Sequence, residues 1–230
     1  EVLNSVEFSG QKVGFGQQEP TNENYGLTRD CEGHYLSKGS VKYADIKSLQ
    51  ILGEHNITNA LASLAICGVV TELNPKVIRG LQTFKGLSHR VELVGTFKGI
   101  TFIDDSKATN ISAAKAGINA CLSEKRGVLI FGGMFKGGNV EDLIKTIEAR
   151  VHTVVLIGQS AEFFYRLLRG RVPSIRANCM NSAVGVASAF AADGEVVLLS
   201  PACSSLDMFS GFEARGIAFK NAIQSRVKEN

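Results

Sequence analysis

The stretch GITFIDDSKATNISAAKAG, residues 99–117, decides the fold class of this chain. Its apolar run, 100–103, ends abruptly at Asp104 and Asp105, and a polar loop then leads into small residues at helical spacing. A short apolar run followed by such a loop and a helix is typical of one strand–helix unit of an α/β protein. The polar loop itself suits either a solvated turn or a ligand site.

Similar units make up the rest of the chain. The apolar strands VELVGTF, ITFID, GVLIFGG, TVVLIG and EVVLLS alternate with amphipathic helices, and a further short strand is predicted near SIRA. This alternation predicts an α/β fold with a Rossmann-like, mostly parallel sheet over residues 90–230. In such sheets ligands bind at the loops that follow the carboxyl ends of the strands.

The first 89 residues show a different pattern. Residues 1 to about 50 combine partial alternation with glycine-rich breaks, which predicts strands and turns. A helix is predicted from Glu54 to about Val70, and Asn74 followed by Pro75 is a start signal for the next one. We therefore expect two domains, 1–89 and 90–230.

Composition narrows the class of protein. The 230 residues are 44% hydrophobic and 20% charged with a net charge of +3, which is typical of a globular protein and does not favour nucleic acid as a partner. The five cysteines are widely spaced without a C-x-x-C pair, which argues against disulfides or zinc and predicts mostly buried thiols. With no signal-peptide pattern and only short apolar runs, we expect a cytoplasmic protein that does not bind membranes. The chain begins without Met, so we expect it to be a fragment.

Three predicted strand-end loops carry the polar chemistry: DDSKATN (104–110), GGMFKGGN (132–139) and SPACSSLDMFSGF (200–212). In the second, glycines allow close backbone approach, and Lys136 suits a carboxylate or a phosphate. Plain turns and helix caps are the alternative, with Asn139 and Asp142 forming a capping box. Cys203 could act as a nucleophile, but no His is near it in sequence, so a buried thiol is favoured. Because the three loops share one sheet edge, we favour a ligand site there.

Two features lie upstream of these loops. Asn56 and Asn59 are three residues apart near a helix start, so their amides share a face and could bind a flat heterocycle or cap the helix. Arg90, in SHRVE, lies at the expected domain junction, where it could form an interdomain ion pair or bind a terminal phosphate.

Together these segments resemble the motifs of the Mur ligases. GEHNITNALA, GLSHRVE, FIDDSKATN, IFGGMFKGG and LLSPACSSLDMFSGFEARGIAF follow the family's order and spacing from about residue 50 to the end, and are most similar to its D-glutamate-adding members. The resemblance implies a ligase that uses ATP to convert the carboxylate of UDP-N-acetylmuramoyl-L-alanine into an acyl phosphate. The amine of D-glutamate then attacks it in peptidoglycan synthesis. It also implies that 1–89 is the later part of the central ATP-binding domain and 90–230 the whole C-terminal domain.

The resemblance also implies roles for individual residues. The residues implied to bind ATP are Asn56 and Asn59 at the adenine, Arg90 at the γ-phosphate, Asp105 at the ribose and Lys107 beside it, with Arg90 and Lys107 as the catalytic cations. The residues implied to bind D-glutamate are Thr109, Lys136, Ser205 and the backbone of Phe212. No metal ligand is assigned in this chain.

The chain departs from the family pattern in one important respect. It contains no G-x-x-x-x-G-K-[ST] phosphate loop, because Gly137 follows Lys136 where Ser or Thr is required. We expect the ligands of Mg²⁺ to precede residue 1, the full-length protein to be monomeric, and these 230 residues to be inactive alone. A non-catalytic Rossmann-like module that binds a nucleotide or an amino acid remains the alternative. A dinucleotide-dependent oxidoreductase is disfavoured, because no G-x-G-x-x-G follows a strand.

Overall fold

The chain divides into two compact units at Lys85 and Gly86. The computed structural model describes residues 10, 12–51, 53–122 and 127–228. The predicted strands and turns of residues 1–9 therefore lie outside the described residues. Within the described part, no helix is both long enough and apolar enough to span a membrane.

The first unit combines an antiparallel sheet with two helices. Strands β1 (Tyr25–Arg29), β2 (His34–Lys38) and β3 (Val41–Asp45) pair in sequence order, and helices α1 (Glu54–Val70) and α2 (Pro75–Thr83) follow. Its core is formed by Tyr25, Leu27, Leu36, Ala44, Ala60, Leu61, Leu64 and Ala65. The side-chain oxygen of Asn74 accepts hydrogen bonds from the N–H groups of Lys76 and Val77, at 3.0 and 3.2 Å. The predicted helix start is therefore confirmed.

The second unit is built on a six-stranded sheet. Its strands are β4 (Glu92–Phe97), β5 (Ile100–Asp104), β6 (Gly127–Gly132), β7 (Val151–Ile157), β8 (Ser174–Arg176) and β9 (Val196–Leu199). The spatial order is β4-β5-β9-β6-β7-β8, with β4 antiparallel to β5 and the remaining pairs parallel. Because β9 lies between β5 and β6, the loops that leave these three strands meet at one edge. The predicted α/β class with a mostly parallel sheet is confirmed.

Five helices cover the two faces of this sheet: α3 (Ile111–Cys121), α4 (Glu141–Arg150), α5 (Ala161–Leu168), α6 (Met180–Phe190) and α7 (Phe212–Lys228). Helices α3, α4 and α5 pack on one face, and α6 and α7 on the other. Leu129 and Phe131 of β6 point to the first face, whereas Val128 and Ile130 point to the second. Strands buried on both faces explain why the sequence shows continuous apolar runs.

One local prediction that is wrong concerns the start of α4. Asn139 and Asp142 do not form a capping box, because α4 begins only at Glu141 and Asp142 forms an ion pair with Lys115, 2.6 Å away. Asn139 instead accepts a hydrogen bond from the N–H of Glu141 at 3.1 Å.

Most of the cysteines are not buried. Of the five free thiols only Cys203 is buried, while Cys31 and Cys179 are exposed and Cys67 and Cys121 partly so. Cys31 follows β1 in a turn, and Cys179 is the residue before α6, so both lie where the chain reaches the surface. The prediction for Cys203 is confirmed. Burial raises its pKa to about 12, which disfavours a nucleophilic thiolate.

Candidate functional site

The three polar loops are joined to one another at the carboxyl edge of the second unit's sheet. The loop after β6 pairs with the loop after β9, because Met134 and Ser204 exchange two backbone hydrogen bonds of 2.9 and 3.0 Å. The loop after β9 also holds the turn after β7, where Asp207 accepts from the N–H of Gln159 at 2.7 Å. The edge is therefore one connected surface.

The two acids at the carboxyl end of β5 bind the segment that precedes β4. Asp104 is fully buried, and its Oδ2 lies 2.7 Å from Nδ1 of His89. Asp105 accepts from the N–H of Val91 at 3.3 Å and from Oγ of Ser200 at 2.8 Å. The paired acids therefore fasten residues 89–91 to the end of β5 and to β9.

Asp105 is an unusual carboxyl group. Its residue is 6% exposed, and burial raises its pKa to about 7, although the hydrogen bonds from Ser200 and Val91 act to lower it. It packs against Gly117 of α3 so closely that a Cβ there would lie 2.2 Å from Oδ2. Asp105 is therefore a buried acid that titrates near neutral pH.

Arg215 joins α7 to two of the loops from a buried position. It is 1% exposed, and its guanidinium donates to Oγ of Ser106 at 3.0 Å, to the carbonyl of Ser106 at 2.8 Å and to the carbonyl of Cys203 at 3.0 Å. The hydroxyl of Ser106 in turn donates to the carbonyl of Phe212 at 2.8 Å. Burial lowers the pKa of Arg215 to about 10, so the group remains charged at neutral pH.

The structure brings together Lys107, which the resemblance implies for ATP, and Phe212, whose backbone it implies for D-glutamate. The ammonium of Lys107 lies 3.7 Å from the centroid of the Phe212 ring, which is cation–π distance. Thr109 is half-buried on the same loop, whereas Ser205 is 3% exposed. The carbonyl of Ser205 accepts from the N–H groups of Met208 and Phe209 at 3.1 and 2.8 Å, which folds the loop before α7.

A polar cleft separates the loop after β6 from the start of α3. It encloses about 610 Å³ and is lined by Asn110, Ile111, Ser112, Lys115, Gly137, Gly138, Asn139 and Asp142. Lys136 is exposed immediately before this lining, and the adjacent glycines have φ angles of +87° and +122° that favour glycine. The cleft is large enough for a small polar ligand and has cations at its border.

The two upstream features lie in different units of the chain. In the first unit, Asn59 donates to Oδ1 of Asn56 at 3.1 Å, so the two amides share one face of α1. In the second unit, Arg90 is exposed, and its charge lowers the pKa of the Asp105 carboxyl, against the larger effect of burial.

Sequence reasoning missed three residues that shape this edge: His89, Arg215 and Lys115. His89 has a left-handed φ of +64° and is 7% exposed, and Arg215 lies 109 positions from Ser106. Neither feature is visible in a local pattern. Lys115 was detectable only as a charge on the polar side of a predicted helix.

Among the residues that the structure describes, one group of acids and a histidine could geometrically hold a metal ion. His89, Glu92 and Asp104 offer ligand atoms within 4.8 Å of one another. However, the ammonium of Lys220 lies 2.7 Å from both carboxylate oxygens of Glu92 and 3.9 Å from Oδ2 of Asp104. A side-chain cation thus already neutralises the cluster, which does not fit a divalent ion.

Comparison with known proteins finds a protein family whose sequence pattern covers most of the second unit. A family model described as "Mur ligase, glutamate ligase domain" matches residues 89–203. The UDP-N-acetylmuramoylalanine–D-glutamate ligase of Legionella pneumophila (strain Paris) is 38% identical over 214 residues, 92% of this chain and 48% of that protein. The protein of the same name from Pseudomonas aeruginosa is 37% identical over 212 residues, 91% and 47% of the respective chains. The chain thus spans about half the length of the curated relatives it matches.

Solved structures share the fold. The UDP-N-acetylmuramate–alanine ligase MurC from Thermotoga maritima superposes with a TM-score of 0.64 at 19% identity, over 88% of this chain and 46% of that chain. FolC from E. coli, solved in complex with ADP, superposes with a TM-score of 0.63 at 17% identity, over 91% and 48%. At such identities the likeness concerns the fold alone.

Proposed function

The chain belongs to the Mur ligase family, and we propose that it is part of an ATP-dependent ligase that joins D-glutamate to UDP-N-acetylmuramoyl-L-alanine. The relatives at 38% and 37% identity, which carry the name of that activity, support the substrates. The observation that carries the proposal for this chain is the connected carboxyl edge, where a polar cleft lies beside Lys136.

The proposed reaction has two steps. The carboxylate oxygen of the UDP-linked substrate attacks the γ-phosphorus of ATP, which forms an acyl phosphate and releases ADP. The amine of D-glutamate then attacks the acyl carbon, the C–O bond to phosphate breaks, and an amide and inorganic phosphate result. We propose that Mg²⁺ is held by residues outside these 230, where it would neutralise phosphate charge.

We assign residues 1–89 to the later part of the central ATP-binding domain and 90–230 to the C-terminal domain. The division into compact units at Lys85 and Gly86 lies close to that boundary and supports it. So does the match of the glutamate ligase domain, which begins at residue 89.

For the nucleotide, we propose that Asn56 and Asn59 contact the adenine and that Arg90 and Lys107 act on the phosphates. The shared face of the two amides and the exposure of Arg90 support these roles. The proposed ribose contact of Asp105 requires more, because its residue is only 6% exposed and each carboxyl oxygen already accepts one hydrogen bond within the chain. Asp105 would have to become more exposed before a free lone pair could accept a hydrogen bond from a ribose hydroxyl.

For D-glutamate, we propose a pocket formed by Thr109, Lys136, Ser205 and the backbone of Phe212. Two carboxylates need a cation and several hydroxyl or N–H donors, while the amine must stay free to attack. The exposure of Lys136 supports its part in this pocket, and Phe212 begins α7, whose first N–H groups are free of helical partners.

Steady-state kinetics of the full-length protein test the proposal. We expect ADP release that requires both D-glutamate and the UDP-linked substrate. Lys136→Ala should raise the KM for D-glutamate about ten- to hundred-fold, since a charge-assisted hydrogen bond is worth about 1.5–3 kcal/mol. Lys145→Ala, which removes an exposed lysine from α4, is the matched control and should leave that KM unchanged.

Two outcomes would contradict the proposal. An unchanged KM in Lys136→Ala would remove Lys136 from the pocket. D-glutamate binding without ADP release would instead favour the non-catalytic binding module. We also propose that the 230 residues alone are inactive, and D-glutamate-dependent ADP release by this piece would refute that.

We propose that the full-length protein acts as a monomer in the cytoplasm, without nucleic acid or membrane partners. ATP and a UDP-linked sugar are water-soluble substrates, which supports this setting, and the net charge of +3 offers little attraction for nucleic acid. Light scattering of the purified protein would measure its mass in solution, and a dimer would contradict the proposal.

A further inference from the structure

Lys136 lies between Phe135, which is anchored to α5, and two glycines, Gly137 and Gly138. On its carboxyl side, Gly137 has no heavy atom within 4 Å of the position of a Cβ, so that part of the loop is open. Two consecutive glycines also leave the backbone with many accessible conformations. On the same side, a Cβ at Gly138 would lie 3.0 Å from Cδ1 of Ile111. The ring contacts and the hydrogen bond that restrain the backbone next to Lys136 lie on its amino side, at Phe135.

Phe135 is fastened to α5 at two points. Its ring stacks on Phe163 with the centroids 5.7 Å apart and an interplanar angle of 21°, and it meets Phe164 edge-on at 5.2 Å. Its N–H donates to Oγ of Ser160 at 2.9 Å, and that hydroxyl donates to the carbonyl of Gly133 at 2.5 Å. The backbone and the ring of Phe135 are thus both held by one helix and the residue before it.

The aromatic group continues into the core. Phe164 is fully buried and packs edge-on against Phe131 of β6, with the centroids 4.6 Å apart. Phe163, by contrast, is 46% exposed, although a large apolar side chain is normally placed inside. Its stacking on Phe135 connects the loop to a helix that is itself packed on the sheet.

We propose that Phe135 is a positioning residue, which holds the glycine-rich loop against α5 so that Lys136 points to the carboxylate of the incoming amino acid. This inference rests on the proposed function for the identity of that amino acid. The anchoring itself rests only on the ring stack and the Ser160 hydrogen bonds. An aromatic pair is worth a free energy that corresponds to about three- to ten-fold in an equilibrium constant.

Hydrogen exchange tests the anchor without reference to activity. In the full-length protein, Phe135→Ala should speed amide exchange across residues 134–138 about three- to ten-fold, because the loop opens more often. Phe135→Tyr keeps the ring and should restore the slow exchange. Phe97→Ala removes a ring that packs on Phe102, in the middle of β5, and serves as the matched control. Unchanged exchange in Phe135→Ala would overturn the proposal.

Kinetics test the link to Lys136. We expect Phe135→Ala to raise the KM for D-glutamate about three- to ten-fold, while kcat and the KM for ATP stay within about two-fold. In a protein that already carries Lys136→Ala, the same change should have no further effect on that KM, because the group it positions is gone. A full additive effect in the double variant would show a merely structural role and overturn the proposal.

The two tests separate this inference from the proposed function. If the full-length wild type releases no ADP with D-glutamate while exchange still responds to Phe135→Ala, the proposed function is wrong and the anchor stands. If activity is present and Lys136→Ala raises the KM while Phe135→Ala does not, the function stands and the positioning role is wrong.

Discussion

The loop after β5 and the loop after β6 leave the same edge of one sheet, yet they use their polar residues differently. At the end of β5 and in the loop after it, Asp104, Asp105 and Ser106 are buried, and each is hydrogen-bonded to a distant part of the second unit. In the loop after β6, residues 136–139 are exposed and the backbone has positive φ at Gly137 and Gly138.

The difference shows that polar density alone does not identify a ligand contact. A buried polar group must be satisfied within the protein, so the donors and acceptors of the loop after β5 mainly hold the structure together. An exposed cation such as Lys136 has its charge available for a ligand. We call the buried, hydrogen-bonded groups around the loop after β5 the frame, because they hold the carboxyl edge together. The loop after β6 is the part of this edge whose exposed residues can adapt to a ligand. The following predictions test this division, beginning with the largest effect.

Removing the buried guanidinium should destabilise the frame most. Arg215→Met leaves two carbonyls and the Ser106 hydroxyl without their donor, and we expect it to lower the free energy of unfolding by about 3–5 kcal/mol. Urea unfolding followed by circular dichroism measures the change. Arg171→Met, at an exposed ion pair with Glu141, is the control. Equal effects of the two substitutions would contradict the division.

The buried acid should make stability depend on pH. The pKa of Asp105 is about 7 in the folded protein against an ordinary 3.8, so its stabilising contribution is full below pH 3.8 and is lost as pH rises through 7. Asp105→Asn removes that loss. When the pH is raised from 4 to 8, the free energy of unfolding of the variant should therefore increase by on the order of 2–4 kcal/mol relative to that of the wild type. A difference in unfolding free energy that is independent of pH would refute the raised pKa.

A single methyl group should disturb the contact between α7 and the His89–Asp104 pair. At Gly216 a Cβ would lie 2.1 Å from Nδ1 of His89 and 2.6 Å from Oδ2 of Asp104, so Gly216→Ala should cost about 1–3 kcal/mol of stability. Gly80→Ala in α2 meets no heavy atom within 4 Å and should slightly stabilise its own unit. A neutral Gly216→Ala would mean that the pair can move aside.

The smallest effect is expected at the border of the open cleft. Lys115→Met breaks the pair with Asp142, whose side chain is 68% exposed, and should leave the unfolding midpoint unchanged within error. Thermal unfolding of the wild type and the variant measures it. A clear loss of stability would show that the cleft border also belongs to the frame.

Much of the fold could be predicted because its signals are local. Strands such as 151–157 are buried on both faces and read as apolar runs, and Asn74 with Pro75 starts α2 as expected. The capping box at Asn139 could not be excluded from sequence, because the competing partner of Asp142 is Lys115 on another helix. The prediction that most thiols are buried was wrong for a similar reason, since the residue type alone does not show how far its side chain is buried.

The sequence by itself determined which chemistry collects at the carboxyl edge: the acids, hydroxyls and lysines follow strands whose direction the pattern reveals. Only the tertiary structure decided which of these groups are already bound within the protein. Asp105 meets Ser200 across 95 positions and Ser106 meets Arg215 across 109, and both contacts depend on where β9 and α7 pack. Burial and hydrogen bonding are set by such distant neighbours, whereas periodicity and loop composition are set by adjacent residues.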